Sequence, residues 1–240
     1  MKTILITKIK DHNDQEVRIN GWVYNKRSSG KVGFLMLRDG TGTAQCIFFK
    51  PEIGEDIFNQ FKSLSQESSV TIEGKVASNE KAEGGFEIQV SNLTIHHISN
   101  NYPISPKEHG TDFLMNNRHL WLRSKRQHAI MRIRHEIIKA TRDFFDSNDF
   151  TLIDTPIFTP NACEGTTTLF ATDYFGENAY LSQSGQLYNE ANAMAFGRVY
   201  TFGPTFRAEK SKTRRHLTEF WMVEPELAYC DLNEDMEWGE

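Results

Sequence analysis

The chain has 240 residues, of which 38% are hydrophobic and 25% are charged. This balance is typical of a globular protein, excludes a disordered tail and, over this length, favours two domains. No apolar run approaches the roughly 20 residues that a membrane helix needs, and the apolar cluster at residues 4–6 is too short for a signal-peptide core. The three cysteines, Cys46, Cys163 and Cys230, lack the spacing of a disulfide framework or zinc site. We therefore expect a cytoplasmic protein with reduced thiols and no membrane partner.

The net charge of −5 hides an uneven distribution. Residues 224–240 hold seven acidic side chains and no Lys or Arg, which leaves the rest of the chain at +2. Residues 107–134 carry seven Lys or Arg against two acids, and residues 210–215 carry four cations. These local basic clusters indicate an anionic partner better than the mean charge does.

The first part of the chain has the pattern of a small β-barrel. Over residues 17–95, apolar and polar residues alternate in five short stretches, and the sequence DGTG at residues 39–42 is a turn signal between two of them. Helical spacing at residues 53–65 places one helix between the third and fourth strands. This order predicts an all-β OB-fold barrel domain, assigned to residues 1–100, whose strand surface often binds single-stranded nucleic acid.

A linker and a second domain follow the barrel. Two prolines and a glycine at residues 101–123 are typical of a linker. In the domain assigned to residues 124–240, Ser124 is a suitable N-cap, and the period of 3.6 after it predicts one helix of about six turns to residue 147. We then expect a strand running into Pro156, strands near 169–172 and 179–182, and a helix over 186–196. The apolar face of the long helix contains Ile130, Ile133, Ile137, Phe144 and Phe145.

The stretch FRAEKSKTRRHLTEFW at residues 206–221 has an unusual arrangement of charged and aromatic residues. If it is a hairpin, Arg207 and Glu209 share one face of the first strand, and His216, Phe220 and Glu224 share one face of the second. A guanidinium suits a phosphate, an aromatic ring suits a base, and a carboxylate suits an exocyclic amine. The pattern therefore fits a nucleotide site, although an ordinary surface hairpin with scattered charge has the same spacing.

FRAE followed by HLTEF resembles motif 2 of the class II aminoacyl-tRNA synthetases. This resemblance implies an α+β catalytic domain, with an antiparallel sheet and helices, and ATP as a substrate. It assigns Arg207, as the catalytic residue, to the α-phosphate and the amino-acid carboxylate, and Glu209 to the adenine amine. It assigns His216 to the distal phosphates and Phe220 to stacking on adenine. The loop cations, including Arg215, would meet ATP or the end of a tRNA.

Two further segments resemble the same family. DFTLIDTP at residues 149–156 resembles motif 1, which implies that Pro156 lies at a homodimer interface. The segment GWVYNKRSSGKVGFLMLRDGTGTAQ resembles the anticodon-binding barrel of the aspartyl, asparaginyl and lysyl subgroup. By that resemblance Arg27, Phe34 and Gln45 contact the tRNA anticodon, with Phe34 stacked on a central uridine. The alternative is that Phe34 belongs to the barrel core.

The choice of amino acid rests on a short polar stretch. Aspartyl enzymes carry QSPQxxK, whereas this chain has QSGQLYN, with Asn189 in place of the lysine. A buried carboxylate without a cation is costly to desolvate, and a carboxamide is not. Together with Glu224, which stands where aspartyl enzymes have a shorter Asp, this resembles the archaeal-like asparaginyl enzymes and implies asparagine and tRNA(Asn) as substrates. The resemblance adds Ser184 and Gln186 to the amino-acid pocket and pairs Glu164 with the α-ammonium; a helix N-cap and a surface charge are the respective alternatives.

The resemblance ends before motif 3 and before the acidic residues that hold Mg²⁺ in the family. The expectation is therefore a fragment, with its catalytic domain truncated before motif 3, no metal site of its own, and no ligase activity alone. Three alternatives stay open: an aspartyl or dual-specificity ligase, a non-catalytic tRNA-binding paralogue, and an amide-forming enzyme that makes asparagine. Asn189 argues against the first, the pairing of Arg207 with Glu209 against the second, and the barrel against the third.

Overall fold

The computed structural model describes residues 1–162, 168–210, 213 and 215–239. The chain forms two compact units, Met1–Trp121 and Leu122–Glu240. The predicted linker region, residues 101–123, contains two short helices, and Phe113 of the first one stacks on the His109 ring that precedes it, with the ring centroids 4.7 Å apart. No helix in the described part of the chain is long and apolar enough to cross a membrane.

The first unit is the predicted OB-fold barrel. Its sheet has the order β1-β2-β3-β4-β6-β5, and β5 also pairs with β2, which closes the barrel. The β1–β2 and β4–β6 pairs are parallel and the others antiparallel. The elements are β1 (Lys2–Thr3), a 3-10 helix (Ile6–His12), β2 (Glu16–Ser29), β3 (Val32–Arg38), β4 (Thr43–Phe49), α1 (Lys50–Ser63), β5 (Ser69–Ser78), a second 3-10 helix (Glu83–Gly85), β6 (Phe86–His97), α2 (Thr111–Asn116) and α3 (Arg118–Trp121).

Strict alternation along the strands builds the barrel core. On β3, Leu35 and Leu37 are fully buried, while Phe34 between Gly33 and Leu35 points to the outer face and is half-buried. Full burial of a leucine side chain contributes about 1.5–3 kcal/mol relative to leaving it exposed. The alternative that placed Phe34 in the barrel core is therefore wrong. The fully buried core includes Val17, Ile19, Val23, Leu35, Leu37, Cys46, Phe48, Phe58, Phe61, Ile72 and Ile88.

Local signals placed the turn and the helix of the barrel well. At the turn after β3, the Asp39 carboxylate accepts hydrogen bonds from the backbone N–H groups of Thr41 (2.8 Å) and Gly42 (3.2 Å). Gly40 has φ +89°, which favours glycine. Helix α1 begins three residues before the predicted start, because Pro51 is well suited to a first helical turn.

The second unit is an α+β fold with two three-stranded sheets, of order β8-β10-β9 and β12-β11-β7. Strand β7 is parallel to β11, and the other pairs are antiparallel. This confirms the predicted fold class. The elements are α4 (Lys125–Ser147), β7 (Thr151–Leu152), β8 (Phe158–Thr159), β9 (Ala171–Tyr174), β10 (Glu177–Leu181), α5 (Gln186–Phe196), β11 (Arg198–Phe206), β12 (Glu219–Leu227) and α6 (Leu232–Gly239).

Helix α4 matches its prediction and is anchored at its C-terminal end. The Ser124 hydroxyl accepts the backbone N–H of Gln127 at 3.4 Å, as expected of an N-cap. The Phe145 ring stacks on Tyr200 of β11 at 4.8 Å, and the Tyr200 hydroxyl donates to Asp146 at 2.9 Å. The predicted apolar face is largely uncovered, since Ile130, Ile133, Ile137 and Phe144 are 45–60% exposed.

Two strand predictions in this unit need correction. The strand expected to run into Pro156 pairs with β11 only over Thr151–Leu152, and a proline at 156 has no N–H to extend the ladder. The strand expected near 169–172 lies at Ala171–Tyr174, because the turn to β10 falls at Phe175 and Gly176, which have φ +57° and +91°. Helix α5 occupies the predicted residues.

Candidate active site and nucleic-acid surface

The hairpin of β11 and β12 ends sooner than predicted. Its ladder stops at the pair Phe206 and Glu219, followed by one more backbone bond, from the Arg207 N–H to the Thr218 carbonyl at 3.0 Å. Arg207, Glu209 and His216 therefore lie just beyond the strands, and their predicted placement on strand faces is wrong. The described residues next to the strand ends, at 207–210 and 215–218, bring these side chains together.

Residues at this end of the hairpin enclose a cavity of about 340 Å³. The Arg207 guanidinium carbon lies 5.4 Å from the centroid of the Phe220 ring, and His216 Nδ1 is hydrogen-bonded to the Thr213 hydroxyl. Two guanidinium groups beside an aromatic ring can hold a phosphate and a base. The cavity is lined by Arg207, Glu209, Arg215, His216, Leu217 and Phe220, which include all five predicted ATP-binding residues.

The carboxylate of Glu224 accepts hydrogen bonds from the segment that precedes α5 and from β11. Its Oε2 accepts the backbone N–H of Gly185 at 3.0 Å and the Thr201 hydroxyl at 3.2 Å. Its Oε1 accepts the Ser184 hydroxyl. Glu224, Gly185 and Thr201 line a second cavity, of about 290 Å³, whose wall also includes Pro156. Glu224 thus presents a carboxylate of defined orientation to this cavity.

The other predicted amino-acid-binding residues have different surroundings. Gln186 is exposed in the first turn of α5, where its amide donates to Glu190 at 2.9 Å, and it does not line the second cavity. Asn189 is fully buried, and its amide donates to the main-chain carbonyl of Glu224 at 3.4 Å. The Ser184 hydroxyl accepts the Gln186 N–H at 3.0 Å, so it serves the helix start as well as Glu224. Glu164 lies outside the described residues.

A third cluster lies on the outer face of the barrel. Arg27 and Phe34 are directly opposite each other on β2 and β3, with the guanidinium carbon 4.5 Å from the ring centroid. Gln45 lies on the same side of β4, and its amide donates to Glu87 at 3.1 Å. A shallow cavity of about 90 Å³ is lined by Asn25, Lys26, Arg27, Phe34, Leu35, Met36 and Gln45. All three predicted anticodon residues therefore belong to one surface.

Two known family models match the chain, one over each part of it. Residues 110–240 match the family described as tRNA synthetases class II (D, K and N), and residues 17–95 match the OB-fold nucleic acid binding domain. This chain belongs to the class II tRNA synthetases.

Individual members of the family are similar over the whole chain. The asparagine–tRNA ligases of Sorangium cellulosum (strain So ce56) and Desulforamulus reducens are each 60% identical to it, over 99% and 100% of this chain and 53% and 56% of their own lengths. The crystal structure of asparaginyl-tRNA synthetase from Pyrococcus horikoshii complexed with asparaginyl-adenylate has a TM-score of 0.93 at 39% identity, covering 98% of this chain and 55% of that one. The asparaginyl-tRNA synthetase of Entamoeba histolytica in complex with asparaginyl-adenylate has a TM-score of 0.86 at 30% identity, with coverage of 98% and 55%. The chain spans about half the length of the curated relatives it matches.

The carboxylates of the synthetase unit are concentrated near the end of β12. Burial raises the pKa of Glu226, and the neighbouring carboxylates of Glu190, Glu224 and Asp235 raise it further. In the part of the chain that the structure describes, however, no group of three or more His, Cys, Asp or Glu side chains is arranged to hold a metal ion. These residues therefore do not fit a Mg²⁺ site, and we assign the ion no step here.

Sequence reasoning missed two residues of the Glu224 environment, Gly185 and Thr201. Thr201 is the direct cross-strand partner of Glu224, and Gly185 precedes α5, 39 residues before Glu224. A cross-strand partner follows only from the register of the ladder, which no local pattern in the sequence specifies. The alternation of side chains along β12 identified Phe220 and Glu224 as sharing one face. It could not identify the groups that donate hydrogen bonds to Glu224.

Proposed function

We propose that this chain is part of an asparagine–tRNA ligase, which activates asparagine with ATP and transfers it to tRNA(Asn). The observation that carries the proposal is the hairpin cavity, where Arg207, Glu209, Arg215, His216 and Phe220 converge. A nucleotide needs cations for its phosphates and an aromatic face for its base, and this cavity supplies both. The asparagine–tRNA ligases at 60% identity support the choice of reaction.

In this proposal the hairpin cavity binds ATP. Phe220 stacks on adenine, Glu209 accepts its exocyclic amine, and Arg215 and His216 bind the distal phosphates. Arg207 is the catalytic residue, because its guanidinium contacts the α-phosphate, where negative charge develops. Its guanidinium carbon lies 5.4 Å from the centroid of the Phe220 ring, so the proposed phosphate and base sites are adjacent.

Asparagine binds in the second cavity, further along the same face of the hairpin. Phe220 and Glu224 are four residues apart on β12 and point the same way, which separates them by roughly 13 Å. One extended ligand can therefore reach both cavities. Glu224 accepts a hydrogen bond from the asparagine side-chain amide and repels a carboxylate at the same place. Ser184 orients Glu224, while roles for Gln186 and for Glu164 at the α-ammonium remain predictions.

The reaction needs positioning and charge stabilisation rather than a protein nucleophile. The asparagine carboxylate oxygen attacks the α-phosphorus of ATP and forms an oxygen–phosphorus bond. The bond from that phosphorus to the bridging oxygen breaks, and pyrophosphate leaves. In the second step, the terminal ribose hydroxyl of the tRNA attacks the carbonyl carbon and loses its proton, and AMP leaves. Arg207 stabilises the charge that develops in the first step.

The barrel cluster binds the anticodon of tRNA(Asn). Phe34 offers a half-buried ring on the outer face on which a base stacks, Arg27 adds a cation beside it, and Gln45 supplies an amide for a base edge. An OB-fold surface commonly combines these three features to bind single-stranded nucleic acid. The remaining basic residues contribute salt-dependent attraction to the tRNA backbone.

The assembly proposed is a homodimer in the cytoplasm. The exposed apolar side chains of α4, among them Ile133 (60%) and Ile137 (58%), form a face that a second copy can cover, and Pro156 is exposed in the segment that follows the helix. The cysteines support the location, because Cys46 is buried as a free thiol and the three show no disulfide spacing.

The test is ATP–pyrophosphate exchange by the complete gene product that contains residues 1–240, with asparagine and aspartate compared. We expect exchange that depends on asparagine. Exchange with aspartate instead would indicate an aspartyl or dual-specificity ligase. Binding of tRNA without any exchange would indicate a non-catalytic tRNA-binding protein, and either result would overturn the proposal.

A further inference from the structure

We propose that Gly185 and Thr201 determine amino-acid specificity by fixing Glu224 in the orientation that selects a carboxamide over a carboxylate. This inference rests on the proposed function and adds two positioning residues to it. Neither residue needs to touch the amino acid. Both act through the Glu224 carboxylate, to which each donates a hydrogen bond.

The hydrogen bonds to the Glu224 carboxylate leave one of its acceptor positions open. A carboxylate has about four lone-pair positions, two on each oxygen. Among the described residues, Gly185 and Thr201 donate to Oε2 of Glu224, while Ser184 donates to Oε1. One position on Oε1 therefore stays available for a ligand. Only a ligand with an N–H or O–H donor can use it, which an asparagine side chain has and an ionised aspartate lacks.

The three groups that donate to Glu224 are not available to an aspartate ligand. The N–H of Gly185 and the hydroxyls of Thr201 and Ser184 are the groups that could otherwise have solvated an aspartate carboxylate. All three are directed at Glu224, and the Gly185 N–H cannot rotate away because it belongs to the backbone. An aspartate would thus meet a like charge without compensating donors, which is costly in a partly buried site.

The space around residue 185 admits only glycine without disturbing Thr201. A Cβ at this position would lie 2.8 Å from Thr155 Oγ1 and 2.9 Å from Thr201 Oγ1. The Thr201 hydroxyl would have to turn away, and it would then lose its bond to Glu224. Proline, which stands at this place in the aspartyl pattern, would also remove the N–H. Glycine at 185 therefore preserves two of the three donors to Glu224.

The experiment uses the complete gene product and measures pyrophosphate exchange with asparagine and with aspartate. Thr201→Val keeps the β-branched shape of a side chain that is only 3% exposed, and it removes the hydroxyl. We expect the ratio of kcat/KM for asparagine to that for aspartate to fall about 10-fold. The change should appear mainly in the KM for asparagine, with the KM for ATP unaltered. Thr201→Ser, which retains the hydroxyl, should restore the ratio to within about threefold of the parent.

Thr205→Val is the matched control. Thr205 is on the same strand and equally buried at 2% exposure, but its hydroxyl donates to the Phe220 carbonyl at 3.3 Å instead of Glu224. Its asparagine-to-aspartate ratio should not change. Gly185→Ala should lower the ratio in the same direction as Thr201→Val, with thermal unfolding as the check that it folds.

The outcomes separate this inference from the proposed function. An unchanged ratio in Thr201→Val overturns the inference alone, as does an equal loss in Thr205→Val or a failure of Thr201→Ser to restore the ratio. If the unaltered protein shows no asparagine-dependent exchange, the proposed function fails and the inference fails with it. A fall in the ratio that is confined to Thr201→Val and Gly185→Ala supports it.

Discussion

Replacing Phe34 by Ala tests whether the barrel face binds RNA bases by stacking. The Phe34 ring lies on the outer face of β3, while the neighbouring Leu35 and Leu37 are fully buried in the core. Its contact in the free protein is the Arg27 guanidinium, 4.5 Å from the ring centroid. Losing that cation–π contact and the partial burial of the ring should together reduce the free energy of unfolding by about 1–2.5 kcal/mol, which is small against the roughly 5–15 kcal/mol of a typical domain. The variant should therefore remain folded.

Phe34→Ala should also weaken tRNA binding by removing the stacking surface. Stacking of a base on an aromatic side chain contributes about 1–3 kcal/mol. At 25 °C this corresponds to a Kd for tRNA(Asn) that rises about 5-fold to 150-fold. Because the ring is neutral, Phe34→Ala should not change the slope of log Kd against log salt. Arg27→Gln should lower that slope by about one if Arg27 neutralises a phosphate.

The assay is fluorescence anisotropy of labelled tRNA(Asn) at several salt concentrations. Phe113→Ala is the matched control, because Phe113 is an aromatic residue of the same unit, is 37% exposed and lies outside the barrel strands. Its Kd should match that of the parent protein. If Phe34→Ala binds as tightly as the parent, or if Phe113→Ala loses as much affinity, the stacking argument is refuted.

Three further predictions concern the synthetase unit. Arg207→Gln in the complete gene product should reduce asparagine-dependent pyrophosphate exchange by about 10²–10³-fold, because the charge on the α-phosphate loses its stabilising cation. Unchanged exchange would contradict the catalytic role of Arg207. Burial, and then the hydrogen bond to Asp146, raises the pKa of Tyr200 to about 12. This folded-state pKa exceeds the ordinary value near 10. The resulting stabilisation, on the order of 3 kcal/mol, is therefore complete below pH 10 and is lost as the pH rises through about 12. An ultraviolet titration should show one late-ionising tyrosine that Tyr200→Phe removes, and its persistence in that variant would assign it elsewhere. The double variant Ile133→Asp, Ile137→Asp should sediment as a monomer at equilibrium. Its thermal midpoint should not fall below that of the separated parent chain, because both side chains are exposed in one chain. A variant that sediments as a dimer would show that α4 is not the interface.

Local patterns in the sequence were sufficient for most of the barrel and for the long helix. The alternation along β3 and β4 and the turn at Asp39 follow from side-chain period and turn chemistry, which act over a few residues. The long helix follows from its 3.6 period and from Ser124, whose hydroxyl accepts the Gln127 N–H at 3.4 Å. The grouping of the residues that line the hairpin cavity could also be predicted from the sequence, since Arg207 and Phe220 are only 13 positions apart.

Long-range geometry decided the details of the site. The strand positions assigned to Arg207 and Glu209 were wrong, because the β11–β12 ladder ends at Phe206 and nothing in the local pattern marks where pairing stops. The environment of Glu224 depends on Gly185 and Thr201, 39 and 23 residues away, whose donors reach it only after the sheet is in register. Hydrogen bonds of this kind form between elements that are distant in the chain, so packing and register determine them, whereas the sequence determines only which donors and acceptors are present.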